Sequence, residues 1–311
     1  YGHSLTARRF NIETRDIILL PIGGLARLEK MPEDPGQELK IAIAGPLVNI
    51  AIAIILYGVI SVTGITPSVE EAAEGFAAIR PDNFLHVLIL VNLVLAVFNM
   101  IPAFPMDGGR VLRALMAYKY PRPQATRMAA TVGQIISAGF VIIGIFIGHI
   151  FLILIGVFIF MAAQAEADYT QAKSFLQGYT VKDVVMHEFN MIDYAEPLSK
   201  AIDLLLNGQG TDFLITKDGE VAGTLSRNEM IKALTEKGKD TQIGAVMNPD
   251  VQFLESKTPL EELYNQAGKK NASLMPVVEN DELIGVLDTE NILEFIMIRE
   301  AEERNKFINK G

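Results

Sequence analysis

Apolar residues are distributed along this chain in two different ways. Up to about residue 170 they form long unbroken runs, and beyond it they come in short blocks separated by turn residues. Residues 39–62 are apolar with Lys40 at the edge, and 84–104 carry no charge between their ends. Residues 128–165 contain no Asp, Glu, Lys or Arg. A bilayer core takes about 20 apolar residues per helix. The runs therefore predict spans over 39–62 and 84–104, and a hairpin of two, 128–147 and 150–167, turning at Gly148-His149. The fold expected is an α-helical polytopic membrane domain over 1–172, followed by an α/β region over 173–311.

The second region repeats itself at a period of about 60 residues. Val181-Lys182-Asp183-Val184-Val185-Met186 corresponds to Ile243-Gly244-Ala245-Val246-Met247, and Glu196-Pro197-Leu198 to Thr258-Pro259-Leu260. In each copy (about 180–236 and 241–300) an apolar strand, an acidic or Gly-containing turn and a second strand predict a hairpin. A helix follows, opened by Ser226 or Asp288 at its N-cap.

Charge sharpens this division. Residues 1–172 carry 12 basic and 13 acidic side chains, against 15 and 24 for 173–311, within a total of −10. That balance excludes non-specific nucleic-acid binding, and the absence of Cys excludes thiolate metal sites and disulfides. Arg and Lys cluster before the first span and between the second and third, whereas 63–83 has Arg80 against four acids. Positive charge marks the cytoplasmic side, which places the N-terminal segment, the loop after Asp107 and the repeat region in the cytoplasm.

Three features of the membrane half carry candidate chemistry. Asn99-Met100-Ile101-Pro102-Ala103-Phe104-Pro105-Met106-Asp107-Gly108-Gly109 interrupts helical bonding twice and places a carboxylate at the end of a span. Asp107 would also suit a plain helix start. Tyr1-Gly2-His3 reads as the end of H-E-x-x-H if the first two residues precede Tyr1. In that motif two His one turn apart bind Zn²⁺ and the Glu is general base. Gly45-Pro46-Leu47-Val48-Asn49 puts a Pro and an amide inside an apolar run, which equally suits a kink with a hydrogen-bonded Asn. His86, His149 and His187 have no second ligand at metal spacing.

Together these features resemble the site-2 protease family of intramembrane zinc metalloproteases, and the repeat resembles a tandem pair of cystathionine-β-synthase (CBS) domains, a combination found in one branch of that family. The resemblance implies His3 and Asp107 as zinc ligands, with Asn99 and Asn49 lining the site. It also implies a transmembrane protein substrate cut near the cytoplasmic face and residence in the lipid bilayer of a prokaryotic plasma membrane. The first His and the Glu of H-E-x-x-H are not in the chain, so as written it is expected to bind zinc poorly and to cleave nothing.

For the CBS pair the resemblance implies an adenine nucleotide, a regulatory role and a homodimer. The nucleotide signature of Gly, Ser or Thr and Asp is met in part by Gly223, Ser226 and Glu229 and less by Gly285, Asp288 and Asn291, residues that equally suit helix caps. The apolar segment 17–28 is too short to span, and Gly23-Gly24 suggests a turn or a flat strand. It is expected to offer an edge strand to an unwound substrate, or else to be an interfacial re-entrant segment. A CBS-regulated transporter or channel, or a non-catalytic sensor derived from the protease, are the competing readings.

Overall fold

The computed structural model describes residues 2–20, 23–28, 32–63, 83–208, 210–267 and 274–308. Most of the 63–83 loop used above for orientation lies outside the described residues. The chain divides into two compact units, residues 1–171 and 172–311.

The first unit opens with α1 (Gly2–Arg8) and an antiparallel pair, β1 (Thr14–Leu20) and β2 (Gly23–Leu28). The pair runs in register from Ile17 opposite Ala26 to Leu20 opposite Gly23, so Gly23-Gly24 begin a strand. Among the described residues four apolar helices and one short amphipathic helix follow. α2 (Pro35–Thr63), α5 (Arg122–Ile147) and α6 (Ile150–Leu176) are long and apolar enough to cross a membrane. Their outer faces expose side chains such as Val62 (88%) and Phe146 (86%), which suits lipid rather than water.

The second apolar run differs from its expected extent of 84–104. Helix α3 (Phe84–Asn99) stops at Asn99, and residues 100–106 form tight turns. Pro102 and Pro105 bring no N–H donors, so the helical ladder cannot continue. The turns close instead through bonds such as Ala103 N–H to Ile101 O, 2.7 Å, and Met106 N–H to Ala103 O, 3.0 Å. α4 (Asp107–Ala117) then begins, and Gly148, in the left-handed region at φ 68°, turns α5 into α6.

In the second unit the repeat builds two small sheets. The first copy contains β3 (Met191–Asp193), α7 (Leu198–Leu206), β4 (Asp212–Lys217), β5 (Glu220–Ser226) and α8 (Arg227–Lys237). The second contains β6 (Leu254–Glu255), α9 (Leu260–Ala267), β7 (Leu274–Glu279), β8 (Glu282–Asp288) and α10 (Thr289–Ile308). Each sheet has a short parallel strand beside the expected antiparallel hairpin.

The opening segments are exchanged between copies. Val181 lies in the second copy's core with Leu254, Val277 and Leu287, and its N–H donates to Thr258 O at 2.9 Å. Ile243 lies in the first copy's core with Ile192, Phe213 and Leu225, and its N–H donates to Glu196 O at 2.9 Å. The hairpin glycines permit this exchange. A Cβ on Gly223 would strike Met247 and Asn248, and one on Gly285 would strike Val185 and Met186. A salt bridge between Lys182 and Glu279, 2.8 Å, reinforces it. The Lys182 ammonium, with the Ser256 hydroxyl, holds the Glu279 carboxyl below its usual range.

Candidate functional site

His3 sits on α1 against a bare stretch of α2. A Cβ on Gly2 would collide with the Ala44 carbonyl and Val48, and one on Gly45 would land on the His3 ring. Two glycines thus bring the helices backbone to backbone, as small residues do between membrane helices. The imidazole lies in the slot that Gly45 leaves.

The ring is oriented by α2 itself, since His3 Nδ1 lies 2.8 Å from the Ile41 carbonyl oxygen. A carbonyl only accepts, so Nδ1 carries the proton and donates it. Nε2 is left facing Asp107 Oδ2 at 3.2 Å. A ring nitrogen and a carboxylate at this spacing either pair directly or share a cation between them.

Asp107 reaches this point because the loop before it folds back on α4. A Cβ on Gly108 would meet the carbonyls of Met100 and Ile101, and one on Gly109 the backbone of Ala103 and Phe104. The two glycines are therefore steric requirements, and the carboxylate sits in the first helical turn, where the helix dipole favours negative charge. Phe104 is buried with Ala129, Ala130 and Ala163, which anchors the loop to α5 and α6.

Of the expected site residues, the structure brings His3 and Asp107 together. Asn49, one turn beyond Gly45 on α2, and Asn99, at the end of α3, are half-buried and make no hydrogen bond to either. Among the described residues no third His, Cys, Asp or Glu completes a metal-holding group with the pair.

An ion network beside the site, with Arg113 and Glu38 buried at its centre, was not legible beforehand. Arg113 on α4, 1% exposed, meets Glu38 on α2 and Glu166 on α6, and Arg122 Nη1 lies 3.2 Å from the other Glu38 oxygen. One sequence signal existed: Glu166 is a carboxylate directly ending a charge-free run inside an expected span.

In the second unit the four candidate nucleotide residues cap helices. Ser226 and Glu229 form a reciprocal capping box on α8, and Asn291 N–H donates to Asp288 Oδ1 at 2.8 Å on α10. Burial raises the Asp288 carboxyl above its usual range; the Asn291 N–H opposes this, while Glu290 and Asp212 add to it. The Asn291 side-chain oxygen is buried without a hydrogen-bond partner.

Comparison with known proteins matches residues 1–143 to peptidase family M50, and residues 181–236 and 243–298 to the CBS domain. A site-2 protease from Methanocaldococcus jannaschii, known as a solved structure, is 37% identical, covering 53% of this chain and 70% of that one, with a TM-score of 0.42. The chain belongs to the site-2 proteases of peptidase family M50, with a tandem CBS pair. A zinc metalloprotease of the same organism is 29% identical over 98% of this chain and 83% of its own length. Stage IV sporulation protein FB of Bacillus subtilis is 27% identical over 41% of this chain and 39% of its own length. Family membership and three long apolar helices make this M50 chain an integral membrane protein.

Proposed function

We propose that this M50 chain is the core of an intramembrane zinc metalloprotease that cuts transmembrane substrates near the cytoplasmic face of a prokaryotic plasma membrane, regulated by its cytoplasmic CBS pair. The observation that carries this reading is the His3–Asp107 pair, with Nδ1 committed to Ile41 O and Nε2 turned to the carboxylate. The donor set fits zinc. Two ligands at about 2.0–2.1 Å on a tetrahedral ion lie roughly 3.3 Å apart, close to the 3.2 Å between Nε2 and Oδ2.

His3 and Asp107 would hold the ion with a further His, and an H-E-x-x-H register would put that His and the general-base Glu ahead of Tyr1. A bound zinc would supply an acidified water near neutral pH and a Lewis acid for the scissile carbonyl. The chain's own residues orient that chemistry. Ile41 O fixes the orientation of the His3 ring, and the first turn of α4 carries Asp107 to it. Asn49 and Asn99 would line the path of the substrate. A helical substrate hides its peptide bonds, and the two-stranded β1–β2 pair would offer backbone groups to an unwound segment. Among the described residues neither strand pairs with a third.

The deciding experiment is metal analysis of purified protein. With His-Glu preceding Tyr1, about one zinc per chain and cleavage of a transmembrane substrate are expected. Residues 1–311 alone should hold zinc weakly and cleave nothing. Metal-free, inert protein with His-Glu in place would support a non-catalytic sensor instead.

The regulatory reading rests on the partial signatures at Gly223 to Glu229 and Gly285 to Asn291. A ligand selective for the folded state at a hundredfold its Kd stabilises by about 2.7 kcal/mol. Millimolar AMP or ATP should therefore raise the melting temperature of residues 172–311 by several degrees. No shift would leave the pair as a docking or homodimerisation module.

A further inference from the structure

We propose that Arg113 is the positioning residue of the metal centre, a buried guanidinium that locks the helix orienting His3 to the helix carrying Asp107. The inference rests on the zinc reading above. Arg113 Nε donates to Glu38 Oε1 at 2.8 Å, and Nη2 bonds the same oxygen. Nη1 bonds Glu166, and the guanidinium carbon lies 5.1 Å from the centre of the Phe104 ring. Arg122 Nη1 donates to Pro32 O at 2.7 Å and stands at ion-pair distance, 3.2 Å, from Glu38 Oε2, which accepts no hydrogen bond among the described residues.

Two of these contacts, Glu38 and Phe104, fall one step from a metal-site residue. Glu38 lies one turn before Ile41 on α2, on the same face, and Ile41 O is what holds the His3 ring. Phe104 is three residues before Asp107 in the loop that delivers it. Arg113 follows Asp107 on α4 by about 9 Å of helix. A shift of α2 against α4 would therefore change the Nε2–Oδ2 spacing; Arg113 opposes that shift through Glu38 and ties α4 to α6 through Glu166.

Stability does not explain the network. Well-packed apolar residues of similar volume usually serve as well or better than a buried ion cluster. The cluster sets two guanidinium groups against Glu38 and Glu166, with Glu33 adding a further carboxylate near Arg122. What it provides is direction, and Lys, a point charge on a flexible stem, would not reproduce it.

The test uses the full protein with a complete H-E-x-x-H, comparing wild type, Arg113→Lys and Glu166→Gln. Zinc affinity is read by chelator competition, and site geometry by the visible spectrum of the Co²⁺-substituted protein. Loss of an outer-sphere partner typically weakens metal binding 10–100-fold. About that loss is expected for Arg113→Lys, with altered Co²⁺ bands and a fall in kcat at nearly constant KM. A smaller loss in the same direction is expected for Glu166→Gln.

A purely structural residue would lower melting temperature and leave affinity and spectrum unchanged. That result, in folded Arg113→Lys or, should it not fold, in Glu166→Gln, overturns the proposal. Wild-type protein without zinc would overturn the zinc reading instead. The chain is free of Cys, so spin labels at Leu5→Cys and Leu115→Cys, both exposed, then decide the positioning role. A distance distribution broadened by either variant supports it, and an unchanged one overturns it.

Discussion

Asp107→Asn, in protein with a complete H-E-x-x-H, is expected to abolish proteolysis and weaken zinc binding by more than roughly 100-fold, beyond what outer-sphere changes usually cost. The substitution keeps the shape and removes the charge. Folding should be nearly untouched, because Asn is tolerated at a helix start and the lost dipole interaction amounts to about 0.3–1 kcal/mol. The check is zinc stoichiometry beside the melting temperature. Full zinc occupancy in folded Asp107→Asn would remove Asp107 from the ligand set.

The second large effect is expected at Gly45, a residue that touches no metal. Ala is the better helix former by about 1 kcal/mol, so Gly45→Ala should strengthen α2 in isolation. Yet its Cβ lands on the His3 ring. The ring must rotate or α1 must move away, and either loses the Nδ1–H bond to Ile41 O. Zinc affinity should fall by about 10-fold or more, as when an orienting partner is lost, and Gly45→Val should bind none. Helicity by circular dichroism and zinc competition on the same sample separate the two effects. Unchanged affinity would mean that His3 has room the structure does not show.

The apolar runs made the membrane helices legible because span length is a property of consecutive residues. The same reasoning overextended the second run to 104. Hydropathy counts Ile101, Ala103 and Phe104 as helix, whereas Pro102 and Pro105 act through missing donors that hydropathy does not weigh. The CBS hairpins were legible from short apolar blocks and turn residues, and Ser226 and Asp288 from N-cap chemistry.

The pairing of His3 with Asp107 came from family resemblance alone. No periodicity connects positions so far apart, and the slot that admits the ring is the absence of an atom at Gly45. Arg113 read as one more basic residue in a cytoplasmic loop. Its burial depends on Glu38 and Glu166 arriving from two other helices, which no local pattern announces. The exchange of opening segments was equally hidden, since self-similarity shows which segments are alike and not which ones touch.

That exchange makes the CBS pair indivisible. Each copy completes its core with a piece of the other, Val181 in one direction and Ile243 in the other. A cut between the copies, at residues 237–242, would release two halves, each missing a wall and exposing apolar side chains. The pair therefore unfolds as a single cooperative block, and a duplication that once produced it could survive only as a duplex. A ligand that tightens either copy tightens both, because neither has a core of its own to keep to itself.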